Sequence, residues 1–274
     1  MAWLDRTVLI AGLALAGCGH SGKAIPETIA HPDRGGARIE YFAEQPAGSG
    51  PWPTVIFLHG HQSATARIGG RAYANWGVLD RFAKRGYLAV AISLPGYGGS
   101  SGPEDFAGPF SQHAVQAVMA ALEADHKAAP NDVLIEGVSL GAVTAALVAA
   151  HDPHIKGLVL ISGLYDLAPF FAHPKSAGAA AVKAAAIAQI GGSAAALQAR
   201  SALLLAPRIH AATLILNGGK DDRTYPDQAR QLAAAITAHG GRAEAHIYPD
   251  FAHEIPLEAR DAQIDRFIDR TLRH

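Results

Sequence analysis

Near the middle of the chain runs the segment Val133-Leu134-Ile135-Glu136-Gly137-Val138-Ser139-Leu140-Gly141. A short apolar run leads into the pattern G-x-S-x-G, and the apolar residues 142–150 continue from it with helical length. This succession predicts a strand, a tight turn and a helix, with glycines flanking the serine because side chains there would collide with neighbouring backbone. The pattern therefore predicts that Ser139 is exposed on the turn as a nucleophile.

A second G-x-S-x-G match occurs at Gly98-Gly99-Ser100-Ser101-Gly102. Pro95 precedes it and Pro103 follows it. Since proline disrupts a continuing helix, no helix is expected to begin after this serine. We interpret this segment as a loop and Ser100 as a residue without a catalytic role.

Outward from the central segment, short apolar runs alternate with helix-like segments. Strands are predicted at 54–58, 87–92, 133–136, 158–161, 213–216 and 243–248, and helices at 75–85, 113–128, 140–151, 227–239 and 258–272. Nearly continuous apolar runs are typical of strands buried on both faces. The alternation predicts a doubly wound α/β domain with a mostly parallel central sheet, extending from residue 37 to residue 274.

Residues 163–210 interrupt this alternation. The interval contains two Ala-rich runs separated by Gly191-Gly192. An insertion of this size between late strands is typical of a helical cap or lid. The same alanines are compatible with ordinary helical scaffold, and the sequence does not decide between these two interpretations.

A serine nucleophile needs a base and an orienting carboxylate. Asp221 lies in a sharp turn after the strand predicted at 213–216, and His253 follows the last predicted strand. This order of serine, acid and histidine along the chain is the one expected for the strand–turn–helix context. Asp222 and Asp166 also follow strands, so they are alternative positions for the acid.

Composition excludes other classes of function. The 274 residues carry 23 Lys+Arg against 24 Asp+Glu, so the net charge is −1 and no basic patch indicates nucleic-acid binding. The single cysteine excludes an intrachain disulfide and a Cys-based zinc site. His151 and His154 lack a third ligand and are interpreted as surface residues, and His59 as structural. We expect no metal and no cofactor.

These motifs together resemble the α/β-hydrolase superfamily. The likeness is nearest to the branch of dienelactone hydrolases and prolyl-oligopeptidase-like enzymes. It rests on Leu58-His59-Gly60-His61-Gln62, on Leu94–Ser100, on the central G-x-S-x-G, on the turn Gly218–Asp221 and on His253. The resemblance covers residues 53–272 in scattered motifs and implies an α/β-hydrolase fold.

The resemblance also implies an activity and a set of site residues. Ser139, Asp221 and His253 would form a catalytic triad, and the backbone N–H groups of His61 and Leu140 would form the oxyanion hole. The expected function is hydrolysis of small-molecule carboxylic esters through an acyl-enzyme. Alternatives are a serine peptidase or amidase acting on peptides, or a binding protein on a hydrolase fold.

The N-terminus has the pattern of an export signal. An apolar stretch from Val8 to Ala16 is too short to span a bilayer, and Leu15-Ala16-Gly17-Cys18 resembles the lipobox of bacterial lipoproteins. We therefore expect a signal peptide at 1–17, lipidation at Cys18 and a tether at 18–36. This predicts an exported protein, lipid-anchored to the cell envelope at the periplasmic side of the outer membrane.

Replacing Cys18 by Ser tests the export prediction. The variant should lack the lipid mass and keep its leader, because the lipoprotein peptidase acts before a lipidated cysteine. Mass spectrometry of the purified protein and fractionation of cells provide the measurement. Wild-type protein recovered from the cytoplasm with Met1 or Ala2 at its start would contradict the prediction.

Overall fold

A computed structural model describes residues 24–273. The strands are β1 (Pro26–Ala30), β2 (Arg38–Glu44), β3 (Trp52–Leu58), β4 (Leu88–Ile92), β5 (Ala128–Val138), β6 (Ile155–Ile161), β7 (Ala212–Gly218) and β8 (Ala243–Tyr248). They form a sheet in the order β1-β2-β4-β3-β5-β6-β7-β8. Strands β3 to β8 pair in parallel, while β1 and β2 pair antiparallel.

Helices cover both faces of this sheet. They are α1 (Arg71–Asn75), α2 (Val78–Lys84), α3 (Pro109–Ala124), α4 (Leu140–His151), α5 (Leu167–Ala172), α6 (Ala177–Ile190), α7 (Ala194–Gln198), α8 (Pro226–Ala238) and α9 (Leu257–Leu272), with a 3-10 helix at Ala202–Arg208. Alternate strand residues face opposite layers: Ile56 belongs to the core layer that includes α3, α4 and α8, and Val55 to the layer that includes α1, α2 and α9. The predicted fold class, a doubly wound and mostly parallel sheet, is confirmed.

The strand order places the site. β3 lies between β4 and β5, so the chain leaves β3 in one direction and returns to its other side for β5. In open α/β sheets, ligands bind in the crevice at the carboxyl ends of strands where the order reverses in this way. Ser139 follows β5 directly and therefore lies at that crevice.

The predicted helical insertion between late strands is also present. Residues 163–210 contain α5, α6, α7 and the 3-10 helix between β6 and β7. The longest of them, α6, begins where the Ser176 side chain accepts a hydrogen bond from the Ala179 amide, and it ends at Gly191 in a left-handed conformation with φ 70°. Glycine adopts that conformation without steric cost, so it ends the helix at this point.

Two elements differ from the sequence prediction. Pro26–Ala30, assigned to a tether at 18–36, forms the edge strand β1 against β2, so the ordered domain begins before residue 37. The second element is β2, which the sequence does not predict because the charged residue Glu40 interrupts its apolar pattern. Glu40 is nevertheless buried, and its carboxylate accepts hydrogen bonds from the Ser93 hydroxyl and the Gly99 amide.

The helix predicted at 75–85 is divided into α1 and α2. The division falls at Gly77, whose φ of 72° lies in the left-handed region and interrupts the helical backbone. The signal peptide at 1–17 and the lipidation site Cys18 lie outside the described residues. Between residues 24 and 273, no helix is both long and apolar enough to cross a bilayer.

Candidate active site

Ser139 occupies a strained turn between β5 and α4. Its backbone has φ 52° and ψ −113°, a conformation that residues with a side chain rarely adopt. A Cβ on Gly137 would lie 2.3 Å from the Gly141 carbonyl oxygen, and one on Gly141 would lie 2.1 Å from the Leu58 carbonyl oxygen. Glycine is therefore required at both positions for the helix to begin this close to β5 and β3.

Three of the predicted residues come together at this turn. His253 Nε2 lies 3.1 Å from Ser139 Oγ, and His253 Nδ1 lies 2.9 Å from Asp221 Oδ2. Because a carboxylate only accepts, the proton of the neutral imidazole belongs on Nδ1, which leaves Nε2 free to accept the serine proton. This arrangement can activate the serine hydroxyl by general-base catalysis.

The Asp221 carboxylate is buried and fully hydrogen-bonded. Its Oδ1 accepts from the amides of Arg223 and Thr224 at 2.9 and 3.0 Å, and its Oδ2 accepts from the Thr224 hydroxyl and the Asn217 amide group besides His253. Burial alone would raise the pKa of Asp221, but the hydrogen bonds and charge of His253 and the backbone amides hold it below its ordinary value. The carboxylate therefore stays ionised beside the imidazole.

Close packing fixes the two loops that carry the acid and the base. A Cβ on Gly218 would lie 1.9 Å from the Ala252 carbonyl oxygen, so only glycine lets the acid turn touch the histidine loop. From the end of β6, the Ser162 hydroxyl donates to the His253 carbonyl at 2.8 Å. No sequence motif indicates Ser162, Thr224 or Asn217 as residues of the site. Only the position of Thr224 and Asn217 beside Asp221 could have indicated them.

The two alternative acids lie elsewhere. Asp222 is exposed, and its carboxylate lies against Gly178 at the start of α6. Asp166 precedes α5, where burial raises the pKa of its carboxyl. The carboxylate hydrogen-bonded to His253 is that of Asp221.

The predicted oxyanion-hole residues line the same cavity as Ser139. A Cβ on Gly60 would lie 3.2 Å from Ser139 Cβ, so the end of β3 passes directly beside the nucleophile. His61 follows Gly60, and Leu140 is the first residue of α4. The His61 ring also contacts Tyr97, whose hydroxyl lies 2.9 Å from His61 Nδ1.

His59 and Ser100 have structural environments. His59 is buried, its Nε2 accepts a hydrogen bond from the Leu94 amide, and its Nδ1 lies 2.8 Å from the Gly60 carbonyl. The Ser100 hydroxyl donates to the Ser93 carbonyl and accepts from the Glu40 amide. Both side chains fasten loops at the carboxyl end of β4.

The cavity has a volume of about 460 Å³ and a mostly apolar wall. Leu140, Val143 and Leu164 form one side. Residues of α6 also line the cavity, and most of them are small: Gly178, Ala181, Val182 and Ala185. This volume is within the usual range for small-molecule sites, and its apolar wall is suited to an apolar acyl group.

Metal-binding geometry is not found in the described part of the chain. Between residues 24 and 273, no group of three or more His, Cys, Asp and Glu side chains could hold an ion. His151 Nδ1 lies 3.2 Å from Gln112 Oε1, and His154 contacts Asp152.

The strand order and the contacts among Ser139, His253 and Asp221 are those of the α/β-hydrolase superfamily. More narrowly, the chain belongs to the prolyl oligopeptidase family, whose sequence model matches residues 78–274. No curated protein matches the sequence.

Solved structures share the fold at low sequence identity. The acylaminoacyl peptidase of Pyrococcus horikoshii superposes with a TM-score of 0.73 at 16% identity over 92% of this chain. A puromycin-hydrolyzing peptidase of Mycobacterium tuberculosis gives 0.68 at 20% over 91%, and an esterase of Pyrococcus furiosus gives 0.67 at 17% over 91%. The chain spans 42% and 39% of the two peptidases but 93% of the esterase.

Replacing Asp221 by Asn should lower kcat by at least about 10²-fold, because an amide can hold the imidazole in the wrong tautomer. Asp222→Asn and Asp166→Asn are matched controls and should stay within about tenfold of the wild type. Steady-state kinetics with a p-nitrophenyl ester provide the measurement. If Asp166→Asn lowered kcat strongly while Asp221→Asn kept it, the acid would be Asp166 after β6.

Two buried groups near the site should give opposite pH dependences of stability. Burial lowers the pKa of His59 to about 4, so its contribution is full above the unfolded value of 6.5 and is lost as the pH falls toward 4. Burial raises the pKa of Glu136 to about 7, so its contribution is full below the unfolded value of 4.5 and is lost as the pH rises toward 7.

The variants His59→Asn and Glu136→Gln separate the two contributions. Between pH 7 and pH 5, the free energy of unfolding of the wild type relative to His59→Asn should fall by ~2 kcal/mol, and relative to Glu136→Gln it should rise by ~2 kcal/mol. Urea unfolding at the two pH values measures both differences. A pH-independent difference for either variant would contradict the corresponding assignment.

Proposed function

We propose that this protein is a serine peptidase or amidase that cleaves short peptides through an acyl-enzyme. The observation that carries the proposal is the hydrogen-bonded chain of Ser139, His253 and Asp221 in a member of the prolyl oligopeptidase family. From the sequence alone, ester hydrolysis is the expected function and peptide hydrolysis the alternative. The family match favours the reverse order.

In the acylation step, Ser139 Oγ attacks the carbonyl carbon of the scissile bond while His253 Nε2 takes the hydroxyl proton. The carbonyl oxygen becomes an oxyanion beside the backbone N–H groups of His61 and Leu140. Leu140 is the first residue of α4, so the positive end of the helix dipole adds to the stabilisation. Asp221 stabilises the imidazolium that forms.

To complete acylation, the protonated His253 gives its proton to the leaving nitrogen, and the bond between the carbonyl carbon and that nitrogen breaks. A water molecule then attacks the acyl-enzyme with His253 again acting as base. Ser139 regains its proton and the acid product leaves. An amide needs this protonation more than an ester does, because an amine anion is a far poorer leaving group.

The cavity supports an apolar acyl group on the side of α4 and α6. Leu140, Val143 and Leu164 are largely buried and face the space next to Ser139. An acyl residue with an aliphatic side chain would replace water there and gain the free energy of apolar burial. We therefore propose a substrate whose residue before the scissile bond is aliphatic.

Ester hydrolysis is the second candidate. The structural likeness to the Pyrococcus furiosus esterase extends over 93% of that chain, whereas the likeness to the acylaminoacyl peptidase extends over 42%. The same residues would perform the reaction on an ester. We also propose, from the pattern Leu15–Cys18, that the enzyme is exported and lipid-anchored to the cell envelope.

Matched substrates separate the two functions. The acetyl-leucyl group is offered as a p-nitroanilide and as a p-nitrophenyl ester, so that only the scissile bond differs. We expect Ser139-dependent release of nitroaniline, and a loss of about 10⁴-fold or more in both reactions on Ser139→Ala. Ser100→Ala is the matched control and should keep its activity.

The two outcomes have different meanings. Ester turnover without any amide turnover would replace the peptidase proposal by the esterase candidate. Activity retained by Ser139→Ala would contradict both.

A further inference from the structure

The cavity wall contains an arginine that has no hydrogen-bond partner in the part of the chain that the structure describes. Arg260, in the first turns of α9, lines the cavity together with Ile255 and Ser139. Its Nε and Nη1 atoms are buried and have no hydrogen-bond partner among the described residues. Buried donors of a charged group are normally paired because leaving them unpaired costs stability. Arg260 therefore brings to the cavity wall a positive charge that no carboxylate within 4 Å among residues 24–273 neutralises.

The other charges at the cavity do not neutralise this arginine. Arg223 and Glu254 pair with each other at 3.8 Å, and both are more than half exposed. Glu136 acts electrostatically on Arg260 from β5, but neither residue has an ion pair within 4 Å in the described chain. Since burial raises the pKa of Glu136 to about 7, its carboxyl is only partly ionised near neutral pH. Asp261 pairs with Arg81 at 3.5 Å.

The position of Arg260 relates it to one half of the substrate. The apolar wall of Leu140, Val143 and Leu164 belongs to the core layer of α4, while Ile255 belongs to the opposite layer with α9. Ile255 and Arg260 continue from His253, the residue that protonates the leaving group. On this ground we place the arginine on the leaving-group side of Ser139.

We propose that Arg260 binds a carboxylate on the leaving group, so that the preferred substrates are short peptides from which the C-terminal residue is released. The planar guanidinium matches a carboxylate in geometry and charge. An aliphatic residue occupies the apolar wall, and the amino acid that leaves places its free carboxylate against Arg260. This inference rests on the proposed function, whose reaction it leaves unchanged.

The test compares substrates that differ in the carboxylate alone. Acetyl-Leu-Ala has a free C-terminal carboxylate, acetyl-Leu-Ala-amide has none, and acetyl-Leu-Asp-amide carries its carboxylate on the side chain. We expect wild-type kcat/KM to be at least about tenfold higher for the free acid than for the amide. The aspartyl substrate decides whether the terminal carboxylate or any nearby carboxylate is recognised.

Variants assign the preference to the arginine. Arg260→Met should lower kcat/KM for the free acid by at least about tenfold, mainly through KM, and leave the amide within about twofold. Arg260→Lys should keep part of the preference. Arg266→Met is the matched control on the exposed face of the same helix and should behave as wild type. Thermal melting of each variant shows that it is folded.

Ester analogues keep the inference separate from the peptidase proposal. Acetyl-leucyl lactate and acetyl-leucyl lactamide repeat the comparison of acid and amide with an ester as the scissile bond. If only the esters are hydrolysed, the peptidase proposal fails, and the preference for lactate decides the role of Arg260. Equal rates for acid and amide in whichever pair is hydrolysed, or an unchanged preference in Arg260→Met, would overturn the inference.

Discussion

The structure depends on one unfavourable backbone conformation. Ser139 holds φ at 52°, and the surrounding chain keeps it there because Gly137 and Gly141 allow β5, α4 and β3 to approach more closely than any side chain would permit. This contact fixes the direction of the serine hydroxyl and the start of α4 at the same time. The position of Ser139 and the start of α4 are therefore set by a single steric arrangement.

The remaining groups of the site come from the ends of separate strands and are joined by hydrogen bonds. Asp221 follows β7, His253 follows β8, and Ser162 follows β6 and holds the histidine loop through its carbonyl. Every oxygen of the Asp221 carboxylate is satisfied, which lets a charged group persist in a buried position. The sheet fixes the distances between these residues, and the short loops fix the orientation of their side chains.

Local patterns were sufficient for the parts of the chain in which neighbouring residues decide the structure. The apolar runs of β3 to β7, and the glycines around Ser139, could be recognised within a few residues. β2 could not be recognised in this way, because the groups that hydrogen-bond to the buried Glu40 carboxylate, on Ser93 and Gly99, lie more than fifty residues away in the chain. The same limit applies to Ser162 and to the side chains of α6, whose contacts with the site depend on the complete fold.

The face of α6 that lines the cavity has a further consequence. The residues of α6 that line the cavity include Ala181 and Ala185, which have very small side chains, and neither is hydrogen-bonded to Ser139, Asp221 or His253. The size of the side chains on this face of α6 therefore limits the depth of the cavity. Larger side chains at Ala181 or Ala185 would reduce the space for a bound molecule and leave the hydrogen bonds among Ser139, His253 and Asp221 in place. The size of that space and the geometry of the three residues can therefore change independently, because they depend on separate segments of the chain.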